Sequence, residues 1–159
     1  MAQLADRALR DSLSALVDTN LTLAYSVILR DQYIDELVKE LDRLCLEFLV
    51  RQQPAAGHLR FAYATIKINL ELERIGDYAE SIARQVLKGS TLHDRLPLAA
   101  FTALAEVSIP MLQRSVQAFV EQDAKLARET MADEDKADVP THRSMHGAFD
   151  APLLHRHAG

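Results

Sequence analysis

The chemistry within reach of this sequence lies in two pairs of carboxylates. Glu73 and Asp77 frame the segment ERIGD, and Asp31 and Asp35 fall in the segment RDQYID. Each pair has i,i+4 spacing, which on a helix puts both side chains on one face, one turn apart. Like charges placed this way repel. Gly76, inside the second pair, costs a helix interior about 1 kcal/mol relative to alanine. Two local penalties so close together point to a site, to a tight packing contact, or to both.

The elements that must position these acids follow from the spacing of apolar residues. The segment RQQPAAGH (51–58), with Pro54 and Gly57, separates two long stretches of helical periodicity. A short loop between long helices makes them antiparallel neighbours. Asp31 and Asp77 are equidistant from Pro54 along the chain, and so are Asp35 and Glu73. Helical rise is constant, so both cross-pairs should stand at the same height. Glu73 and Asp77 lie well round the helix from Ile75, and Asp35 flanks Ile34, so the cluster is expected on the bundle surface. Four converging carboxylates call for a cation with oxygen ligands: Mg, Mn, Fe or Ca. The competing reading is a solvated acidic face with Arg30 and Arg74 as neighbours.

The same periodicity gives a first helix over 3–18, with Leu9, Leu13, Leu16 and Val17 on one face. A second covers 21–51, with Val27, Ile34, Leu37, Leu41, Leu44 and Phe48. A third covers 58–88, with Ile68, Leu72, Ile75, Ala79, Ile82 and Val86, and the segment KGS (88–90) reads as its C-cap. A fourth runs from about Pro97 to Gln122, with Pro110 expected to kink or split it. A fifth covers 123–138, and the pattern weakens beyond Pro140. Residues 16–35 align faintly with residues 119–138: Val17 with Val120, Leu23 with Leu126, Asp31 with Glu134 and Asp35 with Asp138. Such a repeat implies a duplicated helical unit. The fold class is all-α, an antiparallel helical bundle. Residues 1–90 form a first three-helix unit, 91–139 a partial second unit, and 140–159 an irregular tail.

Composition narrows the function. The chain of 159 residues is 48% hydrophobic with only 6% aromatic residues, so its core is aliphatic. A net charge of −5 argues against nucleic-acid binding, which needs a basic footprint. Neither a signal peptide nor a membrane span is legible, and a cytoplasmic location is expected. The one cysteine, Cys45, sits on an apolar face as a reduced packing residue. Ser12, Ser14 and Ser26 have no His at helical spacing, Cys45 has no base within a turn, and no glycine-rich phosphate loop occurs. No enzyme is read here. A ferritin-like di-iron centre would need Glu-x-x-His pairs, and the sequence has none.

The stretch RQQPAAGHLRFAYATIKINLELERIGDYAESIA (51–83) resembles the third-helix signature of the PhoU family, regulators of phosphate uptake. The resemblance covers roughly residues 3–138. It implies two tandem three-helix repeats and surface metal clusters held by acid pairs. The matching positions are Asp31, Asp35, Glu73 and Asp77, with Glu134 and Asp138 in the second repeat. It implies a divalent or trivalent ion such as Fe, Zn, Mg or Mn. It also implies a role coupling a phosphate ABC transporter to a sensor histidine kinase and repressing the phosphate-starvation response. The transporter ATPase or the kinase would be the partner. A helical adaptor without metal is the alternative.

Departures from the family pattern shape further expectations. No second ERIGD occurs, so Glu134 and Asp138 would form at most half a site. His142 and His146 have metal-compatible i,i+4 spacing in the tail, where loose histidines are commoner. A sixth helix is missing from the second unit, which leaves the apolar stripe of helices four and five to be covered. The expected cover is a second copy, in a homodimer whose interface includes Leu112, Val116 and Phe119.

Overall fold

A computed structural model of the chain describes residues 1–89 and 98–133. Among them every regular element is helical: α1 (Ala2–Val17), α2 (Leu21–Gln52), α3 (Ala56–Leu87), α4 (Leu98–Val120) and α5 (residues 124–133). The chain divides into two compact units, Met1–Arg95 and Leu96–Gly159.

In the first unit α1, α2 and α3 pack against one another as a three-helix bundle. α2 and α3 have 32 residues each, so the hairpin they form is about 48 Å long. The turn from α1 to α2 works because Thr19 adopts φ 50° and Asn20 caps the next helix, its Oδ1 accepting from the Leu23 amide at 3.0 Å. The hairpin loop is three residues, 53–55, with Gln53 at φ 43° reversing the chain before Pro54. Gly57, read from sequence as part of that loop, already lies in the first turn of α3. After α3, Gly89 has φ 119°, a conformation that only glycine adopts without strain.

The buried stripes are rotated from those that the large apolar residues indicate. α1 buries Ala5, Ala8, Ser12, Ala15 and Leu16, while Leu9 and Leu13 are half-buried and Val17 is exposed. α3 buries Ala62, Asn69, Leu72, Gly76, Ala79, Ala83 and Val86, while Ile68, Ile75 and Ile82 straddle the edge. Small residues occupy the line of closest approach, and larger ones close the seam on either side. α2 keeps Val27 and Ile34 fully inside, but Leu37 and Leu41 are half-buried, and Leu44 and Phe48 are exposed. Complete burial of Val27 and Ile34 contributes about 1.5–3 kcal/mol each.

In the second unit α4 runs through Pro110 without a break, so the expected split does not occur. Pro110 is exposed, where solvent can satisfy the carbonyl that loses its donor. The turn after α4 repeats the geometry of the α1–α2 turn at the aligned positions. Gln122 has φ 55°, and Asp123 Oδ1 accepts from the Lys125 and Leu126 amides at 2.8 and 3.0 Å. Across the first turn Arg30 pairs with Asp11, and across the second Arg114 pairs with Asp133. These positions also correspond under the alignment, with the charges exchanged.

Candidate metal centre

The closest carboxylates come from both long helices of the first unit. Asp31 and Asp35 stand one turn apart on α2, and Asp77 faces them from α3. One oxygen from each of the three lies within 4.8 Å of the other two. Asp31 and Asp35 are half-buried and Asp77 is exposed, so the cluster sits at the bundle surface. Of the four acids that the height argument from Pro54 expects to meet, Asp31, Asp35 and Asp77 do, and Glu73 is not in that group. Glu73 stands at the edge of this group, half-buried, near enough that its charge and those of Asp77 and Asp35 act on one another.

Gly76 makes the meeting possible. It is buried, and a Cβ added there would lie 3.0 Å from Ile34 Cδ1, 3.3 Å from Ile34 Cγ2 and 3.2 Å from Asp31 Oδ1. α2 thus presses Ile34 into the gap that glycine leaves. The same close approach sets Asp31 against α3.

No arginine among the described residues forms an ion pair with the triad, although Arg84 stands near enough to Asp31 for the two charges to act on one another. Arg30 turns to Asp11 at 2.6 Å and to Ser26, and Arg74 pairs with Glu71 at 3.1 Å. Neither forms an ion pair with the cluster, so the neighbouring arginines offset its charge only in part and from a distance. Asp31 is pushed up to about 6, first by burial and then by the charges of Glu80, Asp35, Asp77 and Glu73. Glu73 is raised by burial, Asp77 and Asp35, with Arg74 pulling weakly the other way. Glu80 is a contributor that the sequence reading missed, though it stands three residues after Asp77 and seven after Glu73 on the same helix. It is partly satisfied by Arg84, whose Nη2 donates to Glu80 Oε1 at 2.5 Å.

The donor set is chemically simple. Three carboxylates within reach of one point, with a fourth beside them, fit a hard oxygen-seeking cation such as Fe, Mn or Mg better than zinc, which prefers nitrogen and sulfur. Glu134, Asp138, His142 and His146 lie outside the described residues. Cys45 is half-buried, and burial first and Asp42 second push its thiol up, as suits an unreactive packing residue.

Comparison with known proteins adds an independent line. The family model described as "PhoU domain" matches residues 1–86. A phosphate-specific transport system accessory protein PhoU homolog from Aquifex aeolicus (strain VF5) is 33% identical over 143 residues, covering 90% of this chain and 65% of that protein. Homolog 1 from Methanothermobacter thermautotrophicus is 36% identical over 114 residues, covering 70% of this chain and 52% of the relative. The crystal structure of PhoU from Pseudomonas aeruginosa superposes with a TM-score of 0.85 at 27% identity, over 92% of this chain and 71% of that one. The chain spans about half to two thirds of the length of these curated relatives.

Proposed function

The chain belongs to the PhoU family, and from that premise we propose that it is an accessory regulator of phosphate uptake that holds a metal ion on Asp31, Asp35 and Asp77, with Glu73 beside them. The regulatory half of this reading is supported by family membership and by relatives named as accessory proteins of phosphate-specific transport systems. Those names describe accessory proteins, and we read this chain as a binding protein with no catalytic role of its own. The partner in this proposal is a cytoplasmic component of uptake or signalling, either the transporter ATPase or a sensor histidine kinase. No described helix is long and apolar enough to cross a membrane. Deleting the gene should derepress phosphate-starvation genes in phosphate-rich medium. Unaltered expression there would leave only the adaptor reading.

The metal half is carried by the triad of oxygens within 4.8 Å and the absence of an ion pair to it among the described residues. The ion would neutralise the cluster and clamp α2 to α3, with Asp31 and Asp35 holding it from one helix and Asp77 from the other. A site this open to water is expected to exchange its ion readily. Glu134 and Asp138 remain candidates for a second, partial site.

A homodimer belongs to the same proposal. Along α4, Leu104 and Val107 are exposed, and Leu112, Val116 and Phe119 are half-buried. We expect a dimer by sedimentation equilibrium at micromolar concentration, dissociated by Val116→Asp because the new carboxylate would be buried without a partner. A monomer in that experiment refutes the dimer and leaves the metal reading untouched.

A further inference from the structure

One polar side chain lies deep between α2 and α3 with no part in the acid cluster. Asn69 is 3% exposed, in the middle of the α3 stripe that faces α2. Its Nδ2 donates to the Val38 carbonyl and to Asp42 Oδ1, both at 3.2 Å. Its Oδ1 is buried with no hydrogen-bond partner among the described residues. A leucine or alanine would fill this place without stranding an acceptor, whose desolvation typically costs about 1–3 kcal/mol. Flipping the amide does not help, because Oδ1 would then face a carbonyl and a carboxylate.

The rest of this seam discriminates poorly between registers. Apolar and small residues recur along both helices, with Val27 and Ile34 on α2 and Ala62, Leu72, Ala79 and Ala83 on α3. The three-residue loop at the tip can be lengthened by unwinding the exposed last turn of α2. A slip of one turn shifts the helices by about 5.4 Å, more than the 4.8 Å that spans the carboxylate oxygens of the triad. The engagement of Ile34 with Gly76 and the bonds of Asn69 are specific to one register. Asn69 stands one turn towards the tip from Glu73 and two turns from Asp77. A buried polar residue fixing register at a cost in stability is a recognised use of asparagine in paired helices.

We propose that Asn69 is a positioning residue that locks α2 and α3 in register, so that Asp77 meets Asp31 and Asp35 at one height. The inference rests on the metal reading of that cluster, and its test separates the two. Spin labels are placed at Gln32→Cys and Ser81→Cys, both exposed positions on α2 and α3, in a Cys45→Ser background of the full chain. The parent protein should give one narrow inter-label distance. Asn69→Leu should keep or raise the melting temperature, since the stranded acceptor is gone. It should also broaden or split the distance distribution, by less than the axial slip of about 5.4 Å because the labels are separated laterally as well, and weaken Mn(II) binding, titrated by the same spectrometer, by about tenfold or more. Asp42→Ala, which removes one acceptor without altering core volume, should shift both readouts the same way by less. A single unchanged distance in both variants overturns the proposal. So does Mn(II) affinity within twofold of the parent protein in a parent that binds the ion. If the parent binds no Mn(II), the metal reading falls, and the distances alone decide the role of Asn69.

Discussion

Asp31→Asn is expected to do two opposite things: raise the thermal stability of the metal-free protein at neutral pH, and weaken its binding of Mn(II) or Fe. The first effect follows from linkage. Asp31 titrates near 6 in the folded chain against 3.8 for an unperturbed aspartate. Between those values the folded state binds more protons than the unfolded state, so stability falls as pH rises through that window. Asparagine resembles the protonated form and escapes the loss. Two units would amount to about 3 kcal/mol, but Asp31 is only partly withdrawn from water, and screening brings the expected gain to about 1 kcal/mol. It should be present above pH 6 and vanish towards pH 4. The second effect follows from the donor set, since an amide oxygen replaces one of three charged ligands, and a loss of tenfold or more in affinity is expected. In the parent protein the same ionisation makes metal binding strengthen as pH rises through about 6. The measurements are thermal melts in chelator from pH 4 to 8 and a calorimetric Mn(II) titration. A variant that is less stable at neutral pH in chelator, with unchanged affinity, would mean that the acids form a solvated face with no ion to hold.

The site was legible in the sequence to the extent that helical rise and a short loop determine it. Pro54 is flanked symmetrically by the acid pairs, and the three-residue loop centred on it keeps the two helices in step so long as the last turn of α2 stays wound. The rotation of each helix was less legible. Ile75 marks an apolar face, but the line of contact with α2 runs through Gly76 and Asn69, because closest approach selects for small volume, and hydropathy does not encode volume. Glu80 was missed for a related reason. It belongs to no i,i+4 acid pair with Glu73 or Asp77, and only the packed hairpin brings its charge to bear on Asp31. Pro110 shows the reverse case, a local signal that does not split the helix. An exposed proline in a long helix loses one hydrogen bond and need not end the helix.

Gly76→Leu should destabilise the first unit and disturb the acid cluster together. The first added carbon already falls 3.0 Å from Ile34 Cδ1 and 3.2 Å from Asp31 Oδ1, and three more must be placed in a gap that Ile34 fills. Ile34 is almost wholly buried and cannot swing aside without displacing its neighbours, so α2 must move off α3. Overpacking of this kind costs about 1–3 kcal/mol. The higher helix propensity of leucine offsets at most about 1 kcal/mol of it. Separation of the helices would also carry Asp31 away from Asp77, so metal affinity should fall along with stability. Adding Ile34→Ala should return part of the stability, because it removes the atoms that the new side chain meets, and the two changes should be strongly non-additive. An unchanged melting temperature in Gly76→Leu would show that the gap is open to a larger residue. If stability falls while metal affinity holds, the glycine serves the core alone. The joint loss is the expected result, because the contact that excludes a Cβ at Gly76 involves both the core residue Ile34 and the carboxylate of Asp31.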